Sequence, residues 1–329
     1  MIPTEQLTAL LQADLGAWGR DDVDRVATGL GWRLGADDKW RTTLVEADGP
    51  YQVRADRRRS WDDRGYFGEY TSLEVRREVA AEEHPDAYRA ALADVVAVLG
   101  DPGLVGGPGP WARWRLPQTI VELSGAEPAR VAAYPRSHLA LTVMPREGTE
   151  SDDRQNGEYA EHWAPFYSWR STAPHPNPAH GTLLGMMTYA HRPAEDWSEF
   201  ERNLSELLAT LPVDLPVLDG YAWEVTWVIE PADGRDEYVQ GHFGTRQGDR
   251  LAVIETRNDW RRASERSEEQ AGVQIVNPTA QDGLHIAELA LAEIYTWNLI
   301  GPDELRYRAG SHNGYRLDAF GLGLNWADD

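Results

Sequence analysis

The chain has 329 residues and no cysteine, and its 54 acidic against 32 basic side chains leave a formal net charge of −22. Disulfides, thiolate nucleophiles and Cys-ligated zinc are thereby excluded. A field of that sign repels nucleic acid and anionic membrane, and it speeds encounter with a basic protein.

The charge is uneven, because residues 151–329 carry 30 acids and 14 bases, a net −16, whereas residues 1–150 carry 24 and 18. The N-terminal run MIPTEQLTALLQADLG has no positive leader region, and no later apolar run approaches the roughly 20 residues of a membrane helix. The expectation is a cytoplasmic protein, long enough for two domains that each bury a core.

In chain order, Thr4 is expected to cap a short helix carrying Leu7, Leu10, Leu11 and Leu15, and a second helix runs from Asp21 to a stop at Gly31. β-Branched and aromatic residues predict strands over Trp40–Glu46, Tyr51–Ala55 and Tyr66–Val79. Tyr88, Leu92, Val95, Val96 and Leu99 share one helical face, closed by Gly100 and Pro102. Trp111 opens the next strand, and further strands end near Met144. Glu46 and Glu122 fall within strands, where alternation turns them outward.

Glu147–Gly157, EGTESDDRQNG, is free of apolar side chains and reads as a linker between residues 1–146 and 158–329. Past it, Thr182–Tyr189 reads as a buried strand. Asp196 and Glu199 then have capping-box spacing for a helix with Phe200, Leu204, Leu207, Leu208 and Leu211 inward, stopped by Pro212. Trp223, Val225, Trp227 and Ile229 alternate as a half-buried strand, followed by strands at Tyr238–Phe243 and Arg250–Thr256. The charged run at 258–272 reads as a solvated segment. Asp282 is expected to cap a helix with Ile286, Leu289, Ala290, Ile294 and Trp297 inward, ending at Gly301-Pro302, and Asn313-Gly314 predicts a hairpin between Leu305–Ala309 and Tyr315–Phe320.

The helix face at Tyr88–Leu99 returns 112 positions later at Phe200–Leu211, each time followed by proline and then tryptophan. The expected fold class is therefore α+β: two tandem, divergently duplicated units, each an antiparallel sheet packed by helices, the second extended by a helix and a hairpin.

Chemistry-bearing motifs are scarce. His162, His175, His180 and His191 lack metal-ligand spacing, and Gly106-Gly107-Pro108-Gly109 lacks the Lys-Ser/Thr of a phosphate loop. No catalytic, metal or cofactor residue is therefore expected. Partner binding falls instead to turn aromatics and acids, namely Trp61 with Asp62 and Asp63, Trp163, and the group Asp233, Asp236 and Glu237.

The motif GWRLG at 31–35, the run LGDPGLVGGPGPWARWRLPQTIVELS at 99–124 and LALTVMP at 139–145 resemble a family of uncharacterised actinobacterial proteins. Its members are of the kind encoded beside polymorphic toxins, so the resemblance, over residues 15–145, implies an immunity role. The helix, three strands, helix order also resembles the secretion-chaperone-like α+β fold, whose members bind polypeptides. Together these imply a protein that neutralises a basic toxin. A chaperone-like component of an assembly and an enzyme with a pocket between the two units stand as alternatives.

Overall fold

A computed structural model describes residues 2–37, 42–57, 68–125, 136–149, 167–171, 194–218, 220–221, 224–246, 249–256, 272–311, 315–320 and 325–326. Of these, 2–104 and 110–149 form one compact unit, and 105–109 with everything from 167 onward form a second. The fold is α+β, with helices against sheets whose described strand registers are antiparallel but for one short pair. No helix among the described residues is long and apolar enough to cross a membrane.

In the first unit, α1 (Thr4–Leu11) buries Leu7, Leu10 and Leu11. Pro3 occupies the position before the helix and Thr4 is its first residue, so Thr4 does not cap; proline's fixed φ already sets the entry. α2 (Arg20–Gly29) is followed by Gly31 at φ +77°. The chain then enters an unanticipated strand, β1 (Arg33–Asp37), which pairs with β2 (Thr42–Glu46). β3 (Gln52–Arg57) and β4 (Tyr70–Ala80) complete a meander before α3 (His84–Leu99).

After α3 come β5 (Leu104–Gly107), buried throughout, then β6 (Trp111–Arg115), β7 (Thr119–Ser124) and β8 (Arg136–Pro145). The hydrogen-bonded order β1-β2-β3-β4-β8-β7-β6 places β8 against β4, across the insertion of α3. Buried Leu73 and Val75 face Val143 and Leu141 across that pair, on the face that meets α3. On α3 itself Ala91 is buried while Val96 and Leu99 are only half-buried, since the inward stripe is centred on Tyr88, Leu92 and Val95. The polar run after β8 begins with a helical turn at 146–149, where the Thr149 hydroxyl donates to the Pro145 carbonyl; its remainder lies outside the described residues.

The second unit begins with β9 (Tyr167–Ser171) and continues through α4 (Trp197–Asp214), β10 (Val225–Pro231), β11 (Val239–Arg246), β12 (Asp249–Thr256) and β13 (Val273–Val276). α5 (Ala280–Ile294), β14 (Leu305–Gly310), β15 (Tyr315–Phe320) and β16 (Asn325–Trp326) follow. One sheet has the order β13-β12-β11-β10-β14-β16, and β15 pairs with β9. Val225, Trp227 and Ile229 alternate inward as their spacing requires. Trp223, the predicted strand at 182–189 and the charged run up to 271 lie outside the described residues.

Several expectations change here. Leu305–Gly310 and Tyr315–Phe320 are strands but not a hairpin: β14 pairs with β10 on one edge and β16 on the other, leaving β15 to pair with β9. After each helix a three-strand antiparallel meander follows, β6-β7-β8 after α3 and β10-β11-β12 after α4, while the flanking partners differ: β8 continues to β4, which precedes α3, and β10 to the C-terminal β14. Among the described residues the recurrence thus comprises the helix and the meander that follows it, and the strands flanking the meander do not correspond. Asp282 is not the cap of α5. Thr279 is, with its hydroxyl accepting from the Asp282 amide while the Asp282 carboxylate accepts from the Thr279 amide and hydroxyl.

Pro212 does not stop α4, which continues to Asp214. Having no N–H, Pro212 leaves the Leu208 carbonyl without its helical donor. The two helices approach closely at that carbonyl, since a Cβ on Gly283 of α5 would stand 2.0 Å from the Leu208 oxygen. Only a residue without a side chain permits this approach.

Gly283→Val should force the helices apart and lower unfolding free energy by about 2–3 kcal/mol, read from denaturant unfolding; an unchanged midpoint would disprove the close approach. Asp282 has its pKa lowered, first by the side-chain hydrogen bond with Thr279 and then by the Thr279 amide. A carboxylate depressed in the folded state stabilises above its unfolded pKa, and that contribution is lost as pH falls through the folded value. Thr279→Ala should therefore cost about 1 kcal/mol at neutral pH, with the difference from wild type shrinking in acid as Asp282 protonates.

Candidate functional site

The antiparallel pairing of α4 and α5 brings the start of one helix to the end of the other. Beyond Ile294 a 3-10 turn, Tyr295–Trp297, buries Trp297, and Asn298 at φ +56° turns the chain outward. A second short turn, Pro302–Glu304, returns it to buried Leu305 at the start of β14. Between these anchors Ile300 stands 89% exposed.

Its backbone is nevertheless fixed on both sides. The Ile300 amide donates to Glu304 Oε2 at 2.8 Å, and the Ile300 carbonyl accepts from the Trp197 indole at 3.1 Å. Arg235 Nη1 donates to the Trp297 carbonyl at 2.9 Å, and the Ala232 amide donates to the Glu304 carbonyl at 2.7 Å, so the turn after β10 props the loop from below. The Trp197 ring packs edge-on against Tyr295 at 5.3 Å and against Phe200 at 6.0 Å. The Tyr295 hydroxyl donates to Glu201, and burial followed by the Glu201 carboxylate pushes its pKa well above the ordinary tyrosine range.

The surroundings are acidic. Asp196 caps α4 by accepting from the Glu199 amide, Glu199 accepts from the Glu195 amide, and Glu201, Asp233, Asp303 and Glu304 lie around the loop. Among the described residues, Arg202 stands 3.9 Å from Glu199, and Arg235 has its Nε 2.8 Å from Asp233. Carboxylates at the first turn of α4 also meet the positive end of its dipole, which stabilises them there.

Of the residues singled out by sequence, Asp233 belongs to this face and Asp236 is exposed three positions on. Glu237 is half-buried, and its Oε2 is buried without a hydrogen-bond partner. Trp61, Asp62, Asp63 and Trp163 lie outside the described residues. Ile300, Tyr295 and Trp197 were not singled out. The available signal was the Leu-Ile pair just before Gly301-Pro302, apolar where the helical period had ended.

The first unit offers a different polar surface. Register aligns Arg54, Glu74, Thr142, Glu122 and Arg113 in a row across β3, β4, β8, β7 and β6. The Arg54 and Glu74 side chains pair at 3.1 Å, and Arg113 and Glu122 at 2.7 Å, so the row neutralises itself. Burial raises the Glu74 pKa despite Arg54 and Arg76. An open trough of about 720 Å³ lined by Gly31, Arg33, Val45, Glu46, Asp48 and Tyr51 has Arg33 paired with Glu46. Among the described residues no three His, Asp or Glu side chains are grouped to hold a metal ion.

Comparison with family models, curated proteins and solved structures finds no match to this chain.

Trp197→Phe keeps a ring against Tyr295 and removes the donor to Ile300. Losing one exposed hydrogen bond of about 1 kcal/mol should speed amide exchange about fivefold across Ile300–Glu304, with Val225–Ile229 unchanged. Equal exchange in both segments would mean that the indole does not hold the loop.

Proposed function

We propose that this chain is a cytoplasmic, immunity-type binding protein that neutralises a basic protein toxin by covering it with the acidic face of its second unit. The observation that carries the reading is that face: seven acidic residues around a loop whose backbone is already fixed, against which the described residues set Arg202 and Arg235. Complementary charge of this kind raises association rates and penalises acidic competitors. The resemblance of residues 15–145 to toxin-linked proteins points the same way, as does the scarcity of catalytic motifs along the chain. The same field disfavours nucleic acid and anionic membrane as partners.

The test is capture from the native host's lysate, identification of the bound protein, and stopped-flow association with that purified protein. The partner should be basic and should arrest growth when expressed alone, and growth should recover on co-expression. Its association rate should fall about tenfold or more between low and physiological salt. A partner that is not toxic, or a rate indifferent to salt, would overturn the reading.

A further inference from the structure

Resting on that binding role, we infer that Ile300 and the Tyr295 ring form an apolar anchor strip that docks a basic amphipathic segment of the partner, with lysines or arginines flanking its apolar stripe. A lone exposed aliphatic residue is ordinary on a protein surface, so exposure by itself decides nothing. What distinguishes Ile300 is that its own amide and carbonyl are both tied, to Glu304 and Trp197, in a loop held between buried Trp297 and Leu305. The side chain is held out on a fixed backbone, so little ordering entropy is lost when it is covered.

The strip has a second member and a defined direction. Trp197 links the two, its indole N–H on the Ile300 carbonyl and its ring 5.3 Å from that of Tyr295, which is 45% exposed. A tyrosine hydroxyl is neutral at physiological pH, and burial followed by Glu201 raises its pKa further, so the strip itself carries no charge there. Glu201, Glu304, Asp303 and Asp233 flank it. An apolar centre with a rim of one charge sign selects a segment with the opposite rim, in the manner of an amphipathic helix laid on an apolar surface. Among the described residues the other large exposed aliphatic side chains are Val273 and Val276 on β13, which provide an internal control.

Two synthetic peptides of about 18 residues test this, one carrying leucines at helical i, i+3, i+4, i+7 spacing among lysines, the other with each leucine replaced by serine at equal charge. Binding is read by fluorescence anisotropy at low and moderate salt. The full-length wild type should bind the leucine peptide about tenfold or more tightly than the serine peptide. Ile300→Ser should abolish that preference while leaving the weak, salt-sensitive binding of the serine peptide, and Val276→Ser should leave the preference intact. Because Ile300 lies outside the core, its substitution should not alter the circular dichroism or the thermal midpoint. Equal binding of both peptides, or a preference that survives Ile300→Ser, overturns the anchor while the acidic-face reading stands. Absence of salt-sensitive binding to either peptide overturns both.

Discussion

The second unit depends on one contact, the approach of Gly283 to the Leu208 carbonyl. Pro212 removes the donor that the carbonyl would have had, and glycine removes the side chain that would have kept α5 away. Once the antiparallel helices are locked there, two turns of α4 toward its N-terminus and three of α5 toward its C-terminus bring Glu201 to Tyr295 and Trp197 to the Ile300 loop. The acidic face is therefore a consequence of helix register. Its residues are far apart in sequence, and no local motif could have announced it.

Carboxylates crowded on one surface repel, so each needs a local reason to stay. Asp196 and Glu199 satisfy amides at the start of α4 and meet its dipole. Glu201 accepts from Tyr295, Glu304 from the Ile300 amide, and Asp233 pairs with the arginine that props Trp297. The negative field is built from groups that also hold the backbone. In the first unit the same residue types are arranged to the opposite effect, with Arg54 facing Glu74 and Arg113 facing Glu122 in register, so that charge is cancelled within the sheet.

Sequence periodicity was informative wherever one face of an element meets a core. The stripe Phe200, Leu204, Leu207, Leu208, Leu211 is wholly buried, and so is the alternation Val225, Trp227, Ile229. It was uninformative wherever partners are chosen at long range. Asn313-Gly314 is a sound local signal for a hairpin, yet β14 finds β10 on one side and β16 on the other, and non-local pairing wins. β1 and β13 are short, and β13 is largely exposed, so neither carries an alternation to read. Asp282 takes part in the cap of α5 as its N3 member, because the cap and its N3 partner act as a pair and Thr279 supplies the first half. Of the candidate site, the acids were visible as composition and Asp233 as a turn residue. Ile300 was not, because a side chain that packs against nothing within its own chain leaves no periodic trace.

Such an arrangement sets stability against readiness to bind. The folded chain retains the mutual repulsion of the carboxylates gathered around Ile300, and it leaves apolar surface on Ile300 and Tyr295 in water; both are costs that local consistency would have avoided. The face could have been made neutral by the kind of Arg–Glu register seen in the first unit, so the sequence has this solution within its repertoire. A cationic partner relieves both costs at once, by screening the carboxylates and by covering the strip. The free energy withheld from the isolated fold at this loop is then available to association, and it is largest for a partner whose charge and apolar surface are juxtaposed in the same way.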